Sequence, residues 1–168
     1  MYARPFIDSL DFARNGQQIG GEVSIVELPR MLDVLENSQG ILSYQVQGGV
    51  DSQGHYLDVN VVGQCLMRCQ RCLNGLDYPV RIDTRLLLRD QSELDVLEEK
   101  VAGGEDEEFD SILADAHLDV LNMLEEEILL SLPIAPKHEL GACQVTDGET
   151  AHREDKNPFA VLAKLKRS

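Results

Sequence analysis

Apolar and polar positions alternate in several distinct rhythms along the chain. In SIVELPRMLDVLEN the apolar residues stand at Ile25, Leu28, Met31, Leu32 and Leu35, a spacing that predicts one short amphipathic helix over 28–37, ended by Asn37 and Gly40. From 41 to 62 the rhythm turns to β-favouring runs: Ile41, Leu42, Tyr44 and Val46, then Tyr56, Leu57, Val59, Val61 and Val62. Gly48-Gly49 and Ser52-Gln53-Gly54 supply the turn signals between these two strands. YPVRIDTRLLLRD alternates again, with Val80, Ile82, Thr84, Leu86 and Leu88 on one face and Arg81, Asp83 and Arg85 on the other. Between the strands lies CLMRCQRCLNGL, residues 65–76, so the pattern puts Cys69 and Cys72 at the tip of an antiparallel hairpin, with Asn74-Gly75 as its turn.

Beyond the hairpin, residues 91–108 are acidic and include Gly103-Gly104, which predicts a loop with at most a short helix around 92–100, followed by a short strand near 109–113. Asp119 is a suitable N-cap for VLNMLEEEILLSL, whose Leu121, Leu124, Ile128 and Leu132 share a helical face and which Pro133 stops. APKHELGACQV reads as loop and TDGETAHREDKN as a polar linker. The closing NPFAVLAKLKR reads as a small amphipathic helix, with Asn157 as cap, Pro158 at its first position and Phe159, Leu162 and Leu165 on one side. The expected fold class is α+β: an antiparallel sheet or partly closed barrel flanked by a few helices, with an acidic loop at about 90–110 and a basic C-terminal tail. Residues 1–150 are expected to form a single domain and 151–168 a linker and tail.

Composition narrows the class. At 168 residues and 43% hydrophobic, the chain can bury an ordinary core. No run approaches the roughly 20 apolar residues of a membrane helix, and MYARPFIDSLDFARNG lacks an apolar export segment, so a soluble, cytoplasmic protein is expected. A net charge of −15 argues at first against phosphate binding, but the charge is segregated. Residues 90–127 carry fifteen acids against Lys100 alone. Residues 68–89 reverse the sign with Arg68, Arg71, Arg81, Arg85 and Arg89, and the tail adds Lys156, Lys164, Lys166 and Arg167 without an acid. Such a chain can offer one region to a basic partner and another to phosphates, or the acids can simply solvate a loop.

The cysteines carry the candidate chemistry. Cys69-x-x-Cys72 on a tight turn can present two thiolates to one zinc ion, and His138 with Cys143, on the loop after the main helix, can complete a Cys3His set. Cys65, on the incoming strand, is a competing ligand. The alternative is a group of reduced cysteines, packed or idle. A thioredoxin-like pair fits less well, because it requires a helix after the second cysteine and here a turn and strand follow. His55, His117 and His152 stand in unrelated contexts, and Glu125-Glu126-Glu127 would spread over different helix faces, as in a solvated helix. There is no Gly-rich phosphate loop, nucleophile elbow or H-E-x-x-H, and with 5% aromatic residues and no Trp a base-stacking platform is poorly supplied.

CQRC at 69–72 on a hairpin, LDVLNMLEEEILLSLPIAPKHELGAC at 118–143 and NPFAVLAKLKR at 157–167 together closely resemble the YceD family, the large ribosomal RNA subunit accumulation proteins. The likeness runs from about residue 40 to the end. It implies a ribosome-biogenesis role in synthesis, processing or stability of 23S ribosomal RNA, with no enzymatic reaction. Positions that match the family pattern are Cys69, Arg71, Cys72, Glu125, Glu127, Pro133, His138, Cys143, Asn157, Pro158 and Phe159; Cys65 has no place in it. Two partner classes follow. Arg68, Arg71, Arg81, Arg85, Lys164, Lys166 and Arg167 would approach the RNA precursor, or the acidic region, Glu105 to Glu108 above all, would escort a basic ribosomal protein or processing enzyme and affect RNA indirectly.

Overall fold

The computed structural model describes residues 4–104 and 109–143. A short strand β1 (Phe6–Ile7) leads into helix α1 (Ser9–Arg14), which Asp8 caps. Strands β2 (Gln18–Ser24), β3 (Ile41–Asp51), β4 (Gly54–Arg68) and β5 (Gly75–Arg89) then form successive antiparallel pairs. Helix α2 (Gln91–Ala102) precedes β6 (Asp110–Leu113), β7 (Leu118–Asp119) pairs with β1, and α3 (Val120–Ser131) follows directly. The main sheet has five strands in the order β2-β3-β4-β5-β6. The α+β class is as the sequence predicts, with two differences. The sheet is open, and it is mixed, because β6 lies parallel to β5. A chain returning parallel to the strand it left must cross over, and α2 is part of that crossover.

Alternation along the strands buries chiefly one face, although Leu87 of β5, on the other face, is buried as well. Leu42 and Val46 on β3, Leu57, Val59, Val61, Cys65 and Met67 on β4, and Val80, Ile82, Leu86 and Leu88 on β5 point into the core. That face is covered by Phe12 and Ala13 of α1 and by Val120, Leu121, Leu124 and Ile128 of α3. The opposite face carries rows such as Gly20, Gln45, Asn60 and Asp83, and Glu22, Ser43, Val62 and Arg81. Such one-sided burial is usual for antiparallel strands. Burying the apolar row is worth about 1.5–3 kcal/mol per large side chain, which fixes the register, since a one-residue slip would turn the whole row to water.

Three local expectations are corrected. The single helix over 28–37 is instead two 3₁₀ turns, Ile25–Glu27 and Pro29–Asp33. Pro29 lacks the donor a continuous helix needs, and the fully buried residues Ile25, Leu28 and Met31 repeat every third position, the 3₁₀ period. Gly48-Gly49 lies within β3, and the hairpin turns at Ser52-Gln53, where the Gln53 N–H donates to Asp51 Oδ1 at 2.8 Å. Gly48 serves close packing: a Cβ there would lie 2.6 Å from Phe12 O and 2.7 Å from Ala13 Cα. The acidic stretch after Arg89 is a full helix through Ala102. Its capping box pairs the Asp90 side chain with the Glu93 N–H and the Glu93 side chain with the Asp90 N–H. None of its residues is buried. Glu105 to Glu108 and the predicted tail helix, with Lys164, Lys166 and Arg167, lie outside the described residues.

Candidate metal centre

The β4–β5 hairpin ends in the six-residue connection Cys69 to Asn74. The Cys69 N–H donates to Asn74 O at 2.9 Å and the Leu73 N–H to Cys69 O at 2.9 Å, closing the turn around the two cysteines. Leu73 takes the left-handed conformation, φ 63°, so the reversal falls one residue before the predicted Asn74-Gly75. For a residue with a Cβ this costs about 1–2 kcal/mol, which the surrounding bonds must offset.

The loop after α3 comes back against this tip. Pro133 ends the helix as expected, and the Gln70 N–H donates to Pro136 O at 2.8 Å. Arg71 then clamps the returning loop. Its guanidinium donates to His138 O at 2.9 Å, to Glu139 O at 3.3 Å and to Cys143 Sγ at 3.0 Å.

Cys69, Cys72, His138 and Cys143 are thereby gathered so that their ligand atoms all lie within 4.8 Å of one another, a group that can hold a metal ion. Cys69 Sγ is 3.8 Å from Cys143 Sγ, and His138 Nδ1 is 3.4 Å from Cys72 Sγ and 3.7 Å from Cys143 Sγ. All four cysteines are free thiols. The other ring nitrogen, Nε2, is 3.0 Å from Gly75 O. A proton on Nε2 donates there and leaves the Nδ1 lone pair facing the sulfurs, the arrangement a ligating imidazole uses.

The electrostatics also favour a cation. Burial works against the Cys69 thiolate, yet backbone donors at Cys72, His138 and Arg71 and the His138 ring bring its pKa down to about 5. For Cys72, the backbone donor at Asn74 favours ionisation, but burial and the neighbouring sulfurs of Cys69 and Cys143 hold its pKa above the ordinary thiol value. Cys143 and Cys69 raise that of His138. A group poised with one ready thiolate and crowded neighbours ionises fully only when a positive charge joins it.

Cys65 stands apart. It is buried in the core on β4, and burial pushes its thiol up to about 11.

The arginines are less free than their numbers in the sequence imply. Arg68 pairs with Glu36 at 2.5 Å. Arg85 is bidentate on Asp58 at 2.7 and 2.9 Å, reaches Asp51 at 2.9 Å and stacks 3.7 Å over the Tyr56 ring. Arg81 is exposed and has no ion-pair partner among the described residues. From Gly75, six strand residues place it about 20 Å from the knuckle, and Arg85 lies about 33 Å away.

The solvated-helix expectation is corrected at Glu125, whose anchoring role the sequence reading did not assign. Glu125 is 2% exposed and accepts from the Arg30 N–H at 2.6 Å, the Met31 N–H at 3.2 Å and Arg30 Nε at 3.1 Å. It ties α3 to the second 3₁₀ turn. The signal was present: Leu121, Leu124, Glu125 and Ile128 follow the i, i+3, i+4, i+7 spacing of one buried face.

The fold and this site define an α+β protein whose sheet projects a hairpin knuckle with a Cys3His cluster closed by a returning loop. Residues 57–166, which include every member of the cluster, match the family model described as large ribosomal RNA subunit accumulation protein YceD, and the chain belongs to that family. No solved structure matches the chain. Among the described residues no helix is long and apolar enough to cross a membrane.

Proposed function

We propose that this chain is a non-catalytic, cytoplasmic ribosome-biogenesis factor that supports synthesis, processing or stability of 23S ribosomal RNA, with a structural zinc ion in its Cys3His cluster. The family match over 57–166 carries the functional part of this reading, since the family description names accumulation of the large-subunit RNA.

The zinc part is supported by geometry. With Zn–S of about 2.3 Å and Zn–N of about 2.0–2.1 Å, a tetrahedral site has S···S edges of about 3.8 Å and S···N edges of about 3.6 Å. The corresponding separations here are 3.8 Å for Cys69 to Cys143 and 3.4 and 3.7 Å from His138 Nδ1 to Cys72 and Cys143. Arg71 would offset the net negative charge of three thiolates on a dication, and zinc would staple the returning loop to the hairpin.

A second reading of how RNA is affected has its own support. Arg68 and Arg85 already face carboxylates, and Arg71 faces Cys143 and two carbonyls, while α2 presents Glu93, Asp95, Glu98 and Glu99 with none of its residues buried. On this reading the chain escorts a basic ribosomal protein or processing enzyme.

Isolating complexes of the tagged protein from cells tests both. Large-subunit RNA precursor that stays bound after other proteins are stripped supports direct contact. A basic protein that comes down without RNA, and is lost when Glu93, Asp95, Glu98, Glu99 and Glu105 to Glu108 are neutralised, supports the escort. Recovery of neither, with ribosomal RNA levels unchanged on deletion, refutes the reading. Elemental analysis of the same preparation tests the zinc.

A further inference from the structure

Beside the knuckle, an open groove of about 640 Å³ runs between the end of β4 and the end of α3. Leu35, Met67, Leu129, Leu132, Ile134 and Pro136 form most of its apolar wall. Leu35 is bridged to Met67, and the Glu36 N–H donates to Leu66 O at 2.8 Å, so one wall is an extended segment fastened to β4. The other is the helix end and the loop that closes the cluster. Large apolar side chains of the groove are left in water: Val34 is 43% exposed and Ile134 101%. Single exposed apolar residues are unremarkable, but a groove that sets eight apolar residues beside Asp33, Arg68 and Gln70 offers an amphipathic segment both kinds of contact.

The chain itself contains a matching segment. Residues 157–167, NPFAVLAKLKR, place Phe159, Leu162 and Leu165 at helical spacing on one side and Lys164, Lys166 and Arg167 elsewhere. The described chain ends at Cys143, which Arg71 holds next to Gln70, itself part of the groove wall. Between Cys143 and this segment lie the thirteen residues 144–156, a length of chain that spans at most about 45 Å. The groove is well within that range.

Helix α2, which packs against β6, carries the half-buried Leu94 and Leu97 and the exposed Val101, and it starts from the far end of β5. The fifteen residues of β5 put roughly 46 Å between the knuckle and that end. The same molecule's tail would have to be stretched to its limit to reach it. Asp33, exposed on the groove and without an ion-pair partner among the described residues, offers a carboxylate to the tail's cations.

We propose that this groove receives the chain's own C-terminal segment, residues 157–167, through the face bearing Phe159, Leu162 and Leu165. The groove and segment do not involve the cysteines, so the proposal stands whether or not zinc is bound.

The chain has no Trp, so Ile134→Trp in the full-length protein is a unique fluorescent reporter at a fully exposed position. The expected result is blue-shifted, quencher-protected emission that is independent of protein concentration. Adding Phe159→Asp and Leu162→Asp should shift emission to the red and raise quenching, and a synthetic peptide of residues 157–168 should restore the original spectrum. Identical spectra with and without the tail substitutions overturn the proposal. Loss of protection on dilution overturns it in favour of a tail supplied by a second copy. Circular dichroism unchanged between the variants establishes that the substitutions act on docking rather than on folding.

Discussion

Removing the carboxylate of Glu125 should cost this protein a large part of its stability, although the residue lies far from the cysteines in sequence. In Glu125→Ala the N–H groups of Arg30 and Met31 lose an acceptor that sits 2.6 and 3.2 Å away and is 2% exposed. Each orphaned buried donor costs about 1–3 kcal/mol, and breaking a buried charged interaction costs about 3–5 kcal/mol in all. The Arg30 side chain, 45% exposed, can rehydrate and adds little. An expected loss of about 3–5 kcal/mol follows, against a typical total of about 5–15. Glu125→Gln keeps the shape and one acceptor and should lose about 1–2 kcal/mol. Urea unfolding followed by far-ultraviolet circular dichroism measures this. At an m-value of about 2 kcal/mol/M, the Ala midpoint falls by about 1.5–2.5 M with m unchanged. Glu126→Ala, at an exposed position on the same helix, is the control and should stay within about 0.5 kcal/mol of the parent. If Glu125→Ala and Glu126→Ala unfold at the same urea concentration, the anchor is not what holds α3 to the 3₁₀ turns.

Further outcomes are expected. Purified protein should contain close to one zinc per chain by elemental analysis, lost in Cys72→Ser and Cys143→Ser and retained in Cys65→Ser; retention in the first two refutes the ligand set. After chelation, a thiol reagent at neutral pH should modify the half-buried Cys72 and Cys143 first and Cys65 only on unfolding, since Cys65 is buried and its pKa is raised to about 11; early labelling of Cys65 by mass spectrometry would contradict its place in the core. Gly48→Val should destabilise by about 1–3 kcal/mol, because its side chain would enter the contact between β3 and α1; thermal melting checks it. Burial, Asp110 and Glu126 raise the Glu127 pKa, so the folded state holds this proton more tightly than the unfolded one. That group's contribution to stability therefore falls as pH rises from the ordinary Glu range through the raised value, and Glu127→Gln should be the more stable protein at neutral pH. Equal melting temperatures at pH 7 would refute that sign.

Much of the fold was legible because its signals are local. The alternation in β3, β4 and β5 follows from burying one sheet face, and Asp119 and Pro133 bound α3 through capping and a missing donor. The errors also have local causes. Ile25, Leu28, Met31, Leu32 and Leu35 fit a helical spacing, but Pro29 withholds a donor and the three-residue spacing of Ile25, Leu28 and Met31 suits 3₁₀ turns. The acidity of 91–102 obscured a capping box at Asp90 and Glu93 that starts a helix with no buried residue.

The sequence by itself determined strands β3 to β6 and helix α3, the hairpin that carries Cys69 and Cys72, and the donor types available to a metal, because periodicity, turn chemistry and ligand chemistry belong to short stretches of chain; it left β1, α1 and β2 unread. Only the tertiary structure decided which distant groups meet. It set His138 Nδ1 toward the sulfurs through Gly75 O, left Cys65 in the core, paired Arg68 and Arg85 with Glu36, Asp51 and Asp58, and buried Glu125 against Arg30. Those contacts join residues from 27 to 95 positions apart. The pattern of any one segment records whether a side chain faces inward, whereas the partner it finds there depends on the register of the sheet and on where the returning chain is held.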